Sequence, residues 1–190
     1  MDRRSPSRRS TPTLPAWITD EVDFQRVYAG EDARIAVAID LARANVGYAT
    51  GGPFGAAVFD ASGKLLAVGV NRVERLQSSL AHAEIVALVG AQRKLGRARL
   101  NGGGGRYTLA TAGQPCCQCY GAILWTGIDE LLIAARGEDI ESLAGFDEGP
   151  LPDDWTGELE RRDIRVVRDL HRDAAREVLV SYVARGGARY

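Results

Sequence analysis

The sequence predicts an α/β domain in which helices layer on strands. Strand-like segments alternate with amphipathic helical ones along most of the chain. The first two strands are joined by the short turn Asp60-Ala61-Ser62-Gly63 and so pair antiparallel, whereas later connections pass through helices. A length of 190 residues suits one domain with a sizeable core.

Residues Met1 to Pro15 are rich in Arg, Ser and Pro and contain little that could enter a core, so they read as a disordered tail ahead of a single domain over residues 16–190. The first core helix falls near Glu31 to Asn45, because Ile35, Ala38, Ile39 and Ala42 share one face at helical spacing. After the turn Gly51-Gly52-Pro53 comes a hairpin of Phe54–Phe59 and Leu65–Val70. A helix is expected over His82 to Leu95, and Asn101 to Gly105 is a glycine-rich flexible loop. Strand Tyr107–Ala110 leads into a helix over Cys116 to Thr126, followed by strand Glu130–Ala134. Pro150 to Thr156 reads as an irregular insert and Ile164–Val167 as a short fifth strand. The last helix spans about Leu170 to Ala184, with Leu170, Ala174 and Val178 on one stripe and Ala175, Leu179 and Val183 on the next.

Charged residues make up 26% of the chain and the net charge is −1, so no excess of positive charge points to nucleic acid or to an anionic membrane. No apolar run is long enough to span a bilayer, and the N-terminal arginines lack the apolar stretch of a secretory signal. All three cysteines fall between Cys116 and Cys119, which fits a metal site in a reducing compartment better than a disulfide framework. A cytoplasmic protein is the simplest expectation.

The chemistry concentrates in two short motifs. Ala81-His82-Ala83-Glu84 opens one helix and Pro115-Cys116-Cys117-Gln118-Cys119 opens another. The order H-x-E then P-C-x-x-C is a known signature of zinc deaminases. Zinc favours tetrahedral nitrogen and sulfur ligands, and a catalytic site leaves one position open for water. Cys116 and Cys119, three apart, share a helix face, and a helix start favours thiolates. Pro115 suits that start because it has no N–H to leave unpaired. His82, Cys116 and Cys119 are therefore the expected ligands of one zinc ion per chain. Glu84 is the expected base and proton carrier. Cys117 should point away from the face its neighbours share, and His171, among charged residues of the last helix, reads as a surface residue.

On these motifs the sequence resembles the cytidine deaminase superfamily, and within it the bacterial guanine deaminases. The resemblance covers most of Glu31 to Tyr190, through Gly51-Gly52-Pro53-Phe54-Gly55-Ala56, the His82 and Cys116 motifs, Gly121-Ala122-Ile123-Leu124-Trp125, and Ala144-Gly145-Phe146-Asp147. It implies a three-layer α/β/α sandwich around a five-stranded mixed sheet, and a homodimer with exchanged C-terminal segments. It implies base contacts from Asn71 and the backbone of Ala83, walls from Phe54 and Trp125, an acid at Asp139 that recognises or protonates a purine, and closure of the pocket by Tyr190.

The chain departs from that pattern at Gln114, where the family usually has Glu, at Cys117 and Gln118, and at Gln77-Ser78-Ser79-Leu80. The expected reaction is hydrolysis of a small aminated heterocycle, guanine first. Another aminopurine, a pterin, a triazine, a nucleoside or a tRNA adenosine are the alternatives. A non-catalytic zinc module is disfavoured by Glu84 and by the open coordination position.

Overall fold

A computed structural model describes residues 14–189. Most of the tail expected over residues 1–15, and the closing residue Tyr190, lie outside the described residues. The elements run α1 (Ile18–Glu21), α2 (Gly30–Gly47), β1 (Gly55–Asp60), β2 (Leu65–Val70), α3 (Val73–Leu76) and α4 (Ala83–Leu95). After a 3-10 turn (Leu100–Gly103) come β3 (Tyr107–Gly113), α5 (Cys117–Thr126), β4 (Glu130–Ala135) and α6 (Gly137–Asp139). A π-helical turn (Ile140–Ala144), α7 (Trp155–Glu160), β5 (Arg165–Val167) and α8 (Arg172–Ala184) complete the order.

The five strands form one mixed sheet in the order β2-β1-β3-β4-β5. The β1–β2 and β1–β3 pairs are antiparallel, and the β3–β4 and β4–β5 pairs are parallel. Alternate strand residues face opposite sides. Ala57, Phe59, Val68, Ala110 and Leu132 join α2 and α8 in one apolar layer, while Ala56, Val58, Leu109, Leu131 and Ile133 join α4 and α5 in the other. The sandwich is thus three layers deep, as the resemblance implied. Strands β1 to β4 are buried on both faces, which explains why they read as near-continuous apolar runs.

Two glycines set how closely the layers approach. A side chain at Gly55 would run into the backbone of α2, and one at Gly69 would run into the backbone of α4 at Ala83 and Ala87. The second contact fixes the height of the His82 motif above the sheet.

The differences from expectation are local. The insert folds in part into α7, because the Asp154 carboxylate accepts the Gly157 N–H at 3.0 Å and caps a turn that buries Leu159. The glycine-rich stretch at 101–105 begins with a 3-10 turn anchored by buried Leu100. Helix α8 packs against α2 and β4, burying Ala175, Val178, Leu179 and Tyr182. Among the described residues no helix is long and apolar enough to cross a membrane.

Candidate active site

Two helix N-termini meet over the end of the sheet where β2, β3 and β4 finish and β1 begins. His82 is the residue ahead of α4 and Cys116 the residue ahead of α5, both in extended backbone conformation. Cys119 lies one turn into α5 and is fully buried. The Sγ atoms of Cys116 and Cys119 stand 3.5 and 3.6 Å from His82 Nδ1. Zinc–sulfur and zinc–imidazole bonds of roughly 2.3 and 2.05 Å, set at a tetrahedral angle, give a sulfur–nitrogen edge of roughly 3.6 Å. The three side chains therefore fit one tetrahedral zinc ion, with Nδ1 as the imidazole ligand. Among the described residues they are the one group of three candidate ligands whose donor atoms lie within 4.8 Å of one another.

The electrostatics match a metal centre. The Cys116 pKa is lowered to about 4, chiefly by the hydrogen bond its sulfur accepts from Cys119 and also by that from His82. Cys119 is held protonated by the same sharing of one proton, reinforced by burial and by Glu84. A doubly charged cation would relieve that conflict and let both sulfurs be thiolates. Burial opposes charge on His82, yet Cys116, Glu84 and Glu148 together raise its pKa. Cys117 is exposed, as the helix geometry requires.

Beside the cluster is a small pocket lined by Phe54, Asn71, His82, Glu84, Gln114, Cys116, Phe146, Asp147 and Glu148. Glu84, in the first turn of α4, is only 6% exposed, and burial followed by the charge of Cys116 raises its pKa. The Thr111 hydroxyl lies 3.4 Å from its carboxylate. Asn71 follows β2 and is buried, its Oδ1 accepting the Val73 N–H at 3.3 Å. Phe54 meets Phe146 edge to face at 5.2 Å between ring centres. Ala83 is fully buried between His82 and Glu84.

Two residues that the resemblance placed at the base do not line this pocket within the chain. Trp125 lies outside the pocket and is 77% exposed. Six helical residues past Cys119 correspond to a rotation of roughly 240°, which turns it away from the metal face. Asp139 also lies outside. Its carboxylate accepts the Arg136 N–H at 2.9 Å and two hydrogen bonds from Arg172 at 2.7 and 2.8 Å, so it ties α6 to α8. Tyr190 lies outside the described residues.

The acid that does reach the pocket is Glu148, which sequence reasoning missed. It is 8% exposed, and its pKa is pushed up to about 8 by burial, then by the negative charge of Cys116 and Glu84. Its carbonyl accepts the Cys117 N–H at 2.9 Å, so the 145–149 turn is hung on the cysteine helix itself. The adjoining Ala144–Asp147 segment was the available signal; the acid sits one residue past it.

Comparison with known proteins agrees with this geometry. Residues 31–135 match the cytidine and deoxycytidylate deaminase zinc-binding region. The chain is 36% identical over 111 residues to guanine deaminase from Bacillus subtilis (strain 168), a match covering 58% of this chain and 67% of that protein. It superposes on guanine deaminase from Nitrosomonas europaea with a TM-score of 0.88 and 43% identity, covering 95% of this chain and 99% of the other. A solved variant in complex with 8-azaguanine is 45% identical with a TM-score of 0.86, covering 90% of this chain and 96% of that one.

Proposed function

Because the chain belongs to the cytidine and deoxycytidylate deaminase family, zinc hydrolases that cleave the carbon–nitrogen bond of a cyclic amidine, we propose that it converts guanine and water to xanthine and ammonia. The observation that carries guanine in particular is likeness to a guanine deaminase over nearly the whole chain.

In this reading His82, Cys116 and Cys119 hold the zinc. When bound, zinc supplies the Lewis acidity that brings a water proton within a carboxylate's reach near neutral pH. The residues around it divide the proton work. Glu84, buried beside the cluster, takes a proton from water and passes it on toward the departing amine. Glu148, whose raised pKa keeps it protonated at pH 7, donates to the purine ring and recovers its proton as ammonia leaves. Phe54 and Phe146 form the apolar walls, Asn71 and the Ala83 backbone contact the base, and Gln114 supplies a neutral amide where another acid would add to the crowding of carboxyls. Glu148 takes the role that the resemblance assigned to Asp139.

The protein acts as a homodimer in the cytoplasm. Leu80, 63% exposed, and Trp125, 77% exposed, are large apolar side chains next to the two metal motifs, and burying them against a second copy removes both from water.

The test is steady-state turnover of guanine by wild type and Glu84→Gln, with zinc measured in both. Glu84→Gln should keep its zinc and lose about 100- to 10,000-fold in kcat. Wild-type turnover in that variant would remove Glu84 from the reaction.

A further inference from the structure

The pocket wall is held from behind by the end of the chain. Phe146, which lines the pocket, stacks on Tyr182 of α8 at 6.0 Å and 24° between ring planes. The Tyr182 hydroxyl donates to the Ala188 carbonyl at 2.6 Å, and the backbone of Tyr182 accepts the Gly187 N–H at 3.0 Å. The tail therefore curls round the ring. A side chain at Gly187 would overlap that ring, so a glycine is needed for the approach. The curl delivers Arg189 to the π-helical turn, where its Nε donates to the Ala144 carbonyl at 3.1 Å. The guanidinium lies over Gly145, whose φ is +71° and whose missing side chain would stand 2.8 Å from Arg189 Cζ. One ring thus touches the pocket wall on one side and organises the tail that clasps the same wall on the other.

We propose that Tyr182 is a positioning residue for substrate binding: its ring sets Phe146 against Phe54, and its hydroxyl folds residues 185–189 into a clasp on the 144–146 turn. The substrate part of this rests on the guanine reading above; the clasp itself does not. Loss of the ring removes this stacking partner from Phe146 and the clasp at 144–145 from the turn that leads to Glu148, which then hangs on the Cys117 N–H contact. A planar base then meets a wall that is no longer fixed.

Two measurements on the zinc-loaded full chain test the proposal. The first is hydrogen exchange by mass spectrometry. Tyr182→Leu should speed exchange in the 144–149 segment about tenfold while β1 and β3 keep wild-type protection. Unchanged exchange at 144–149 overturns the clasp whatever the substrate is. The second is the guanine KM, which a simple loss of folded protein does not alter. Tyr182→Leu should raise KM about tenfold with kcat within a few-fold of wild type. Tyr182→Phe should return KM close to wild type, because the stack survives, while retaining faster exchange at 144–146. Leu179→Ala, a truncation on the same buried helix face, should lower the melting temperature and leave KM in place. A KM in Tyr182→Leu equal to wild type, or an equal KM rise in Leu179→Ala, refutes positioning by Tyr182. Failure of the wild type to turn over guanine refutes the guanine reading instead, and the exchange result still decides the clasp.

Discussion

Gly69→Ala puts the account under strain at a single methyl group. In β2, the added carbon would stand 2.6 Å from the Ala87 amide nitrogen and closer still to the Ala83 carbonyl oxygen. Ordinary contact begins near 3.4 Å, so α4 and the sheet must separate by about 0.8 Å or more. Both clashing atoms are backbone, and no rotamer change relieves them. Overpacking of this kind costs about 1–3 kcal/mol. In a chain of this size that lowers the melting temperature by about 3–10 °C and leaves the protein folded at 25 °C. The larger effect falls on the site, because α4 carries His82 and Glu84 at the end that must move. A misplacement near 1 Å can cost about 100-fold in rate, so guanine kcat/KM should fall about 30- to 100-fold. Circular dichroism melting and xanthine production on one zinc-loaded preparation check the two consequences. A variant that melts and turns over like wild type would show that the helix-to-sheet distance does not set the site.

Glu148→Gln should retain zinc and lose about 100- to 10,000-fold in kcat. In the wild type the acid form of Glu148 is present below its pKa of about 8 and lost above it, so activity should decline through that pH and the variant should lack that limb. Arg172 holds the Asp139 carboxyl below its ordinary pKa. Its contribution to stability is therefore present above about pH 4 and lost as the pH falls through the lowered value. Arg172→Met should lower the melting temperature at pH 7, and melting curves of variant and wild type should converge on acidification. Trp125→Glu should shift sedimentation from dimer to monomer with zinc still bound; an unchanged dimer would place the interface elsewhere.

What the sequence disclosed follows the range of the forces involved. The metal ligands were legible because each motif is local and the chemistry of zinc restricts residue type and spacing. The hairpin and the long helices were legible from turn residues and apolar periodicity, and even the short β5 strand followed from its Ile/Val content. Glu148 was not legible, because nothing in its neighbours shows that its carbonyl meets the Cys117 N–H and that its side chain lines the pocket. The Asp139 contact was not legible for the same reason: its partner Arg172 lies 33 residues away on α8. Trp125 was read from likeness to a family; its angle on α5 relative to Cys119 turns it out of its own chain's pocket. Helix α7 was missed because its cap, Asp154, sits among Pro and Asp residues that also mark loops.

The central claim is that His82, Cys116 and Cys119 hold a zinc ion required for guanine hydrolysis. The most direct measurement follows guanine turnover on one sample as purified, after removal of zinc by a chelator, and after zinc is returned, with metal content determined at each stage. The account predicts equal amounts of xanthine and ammonia, one zinc ion per chain in the active states, loss of turnover with loss of metal, and its recovery on reloading. Undiminished turnover by the metal-free protein, or a fully loaded protein that forms no xanthine, would contradict it.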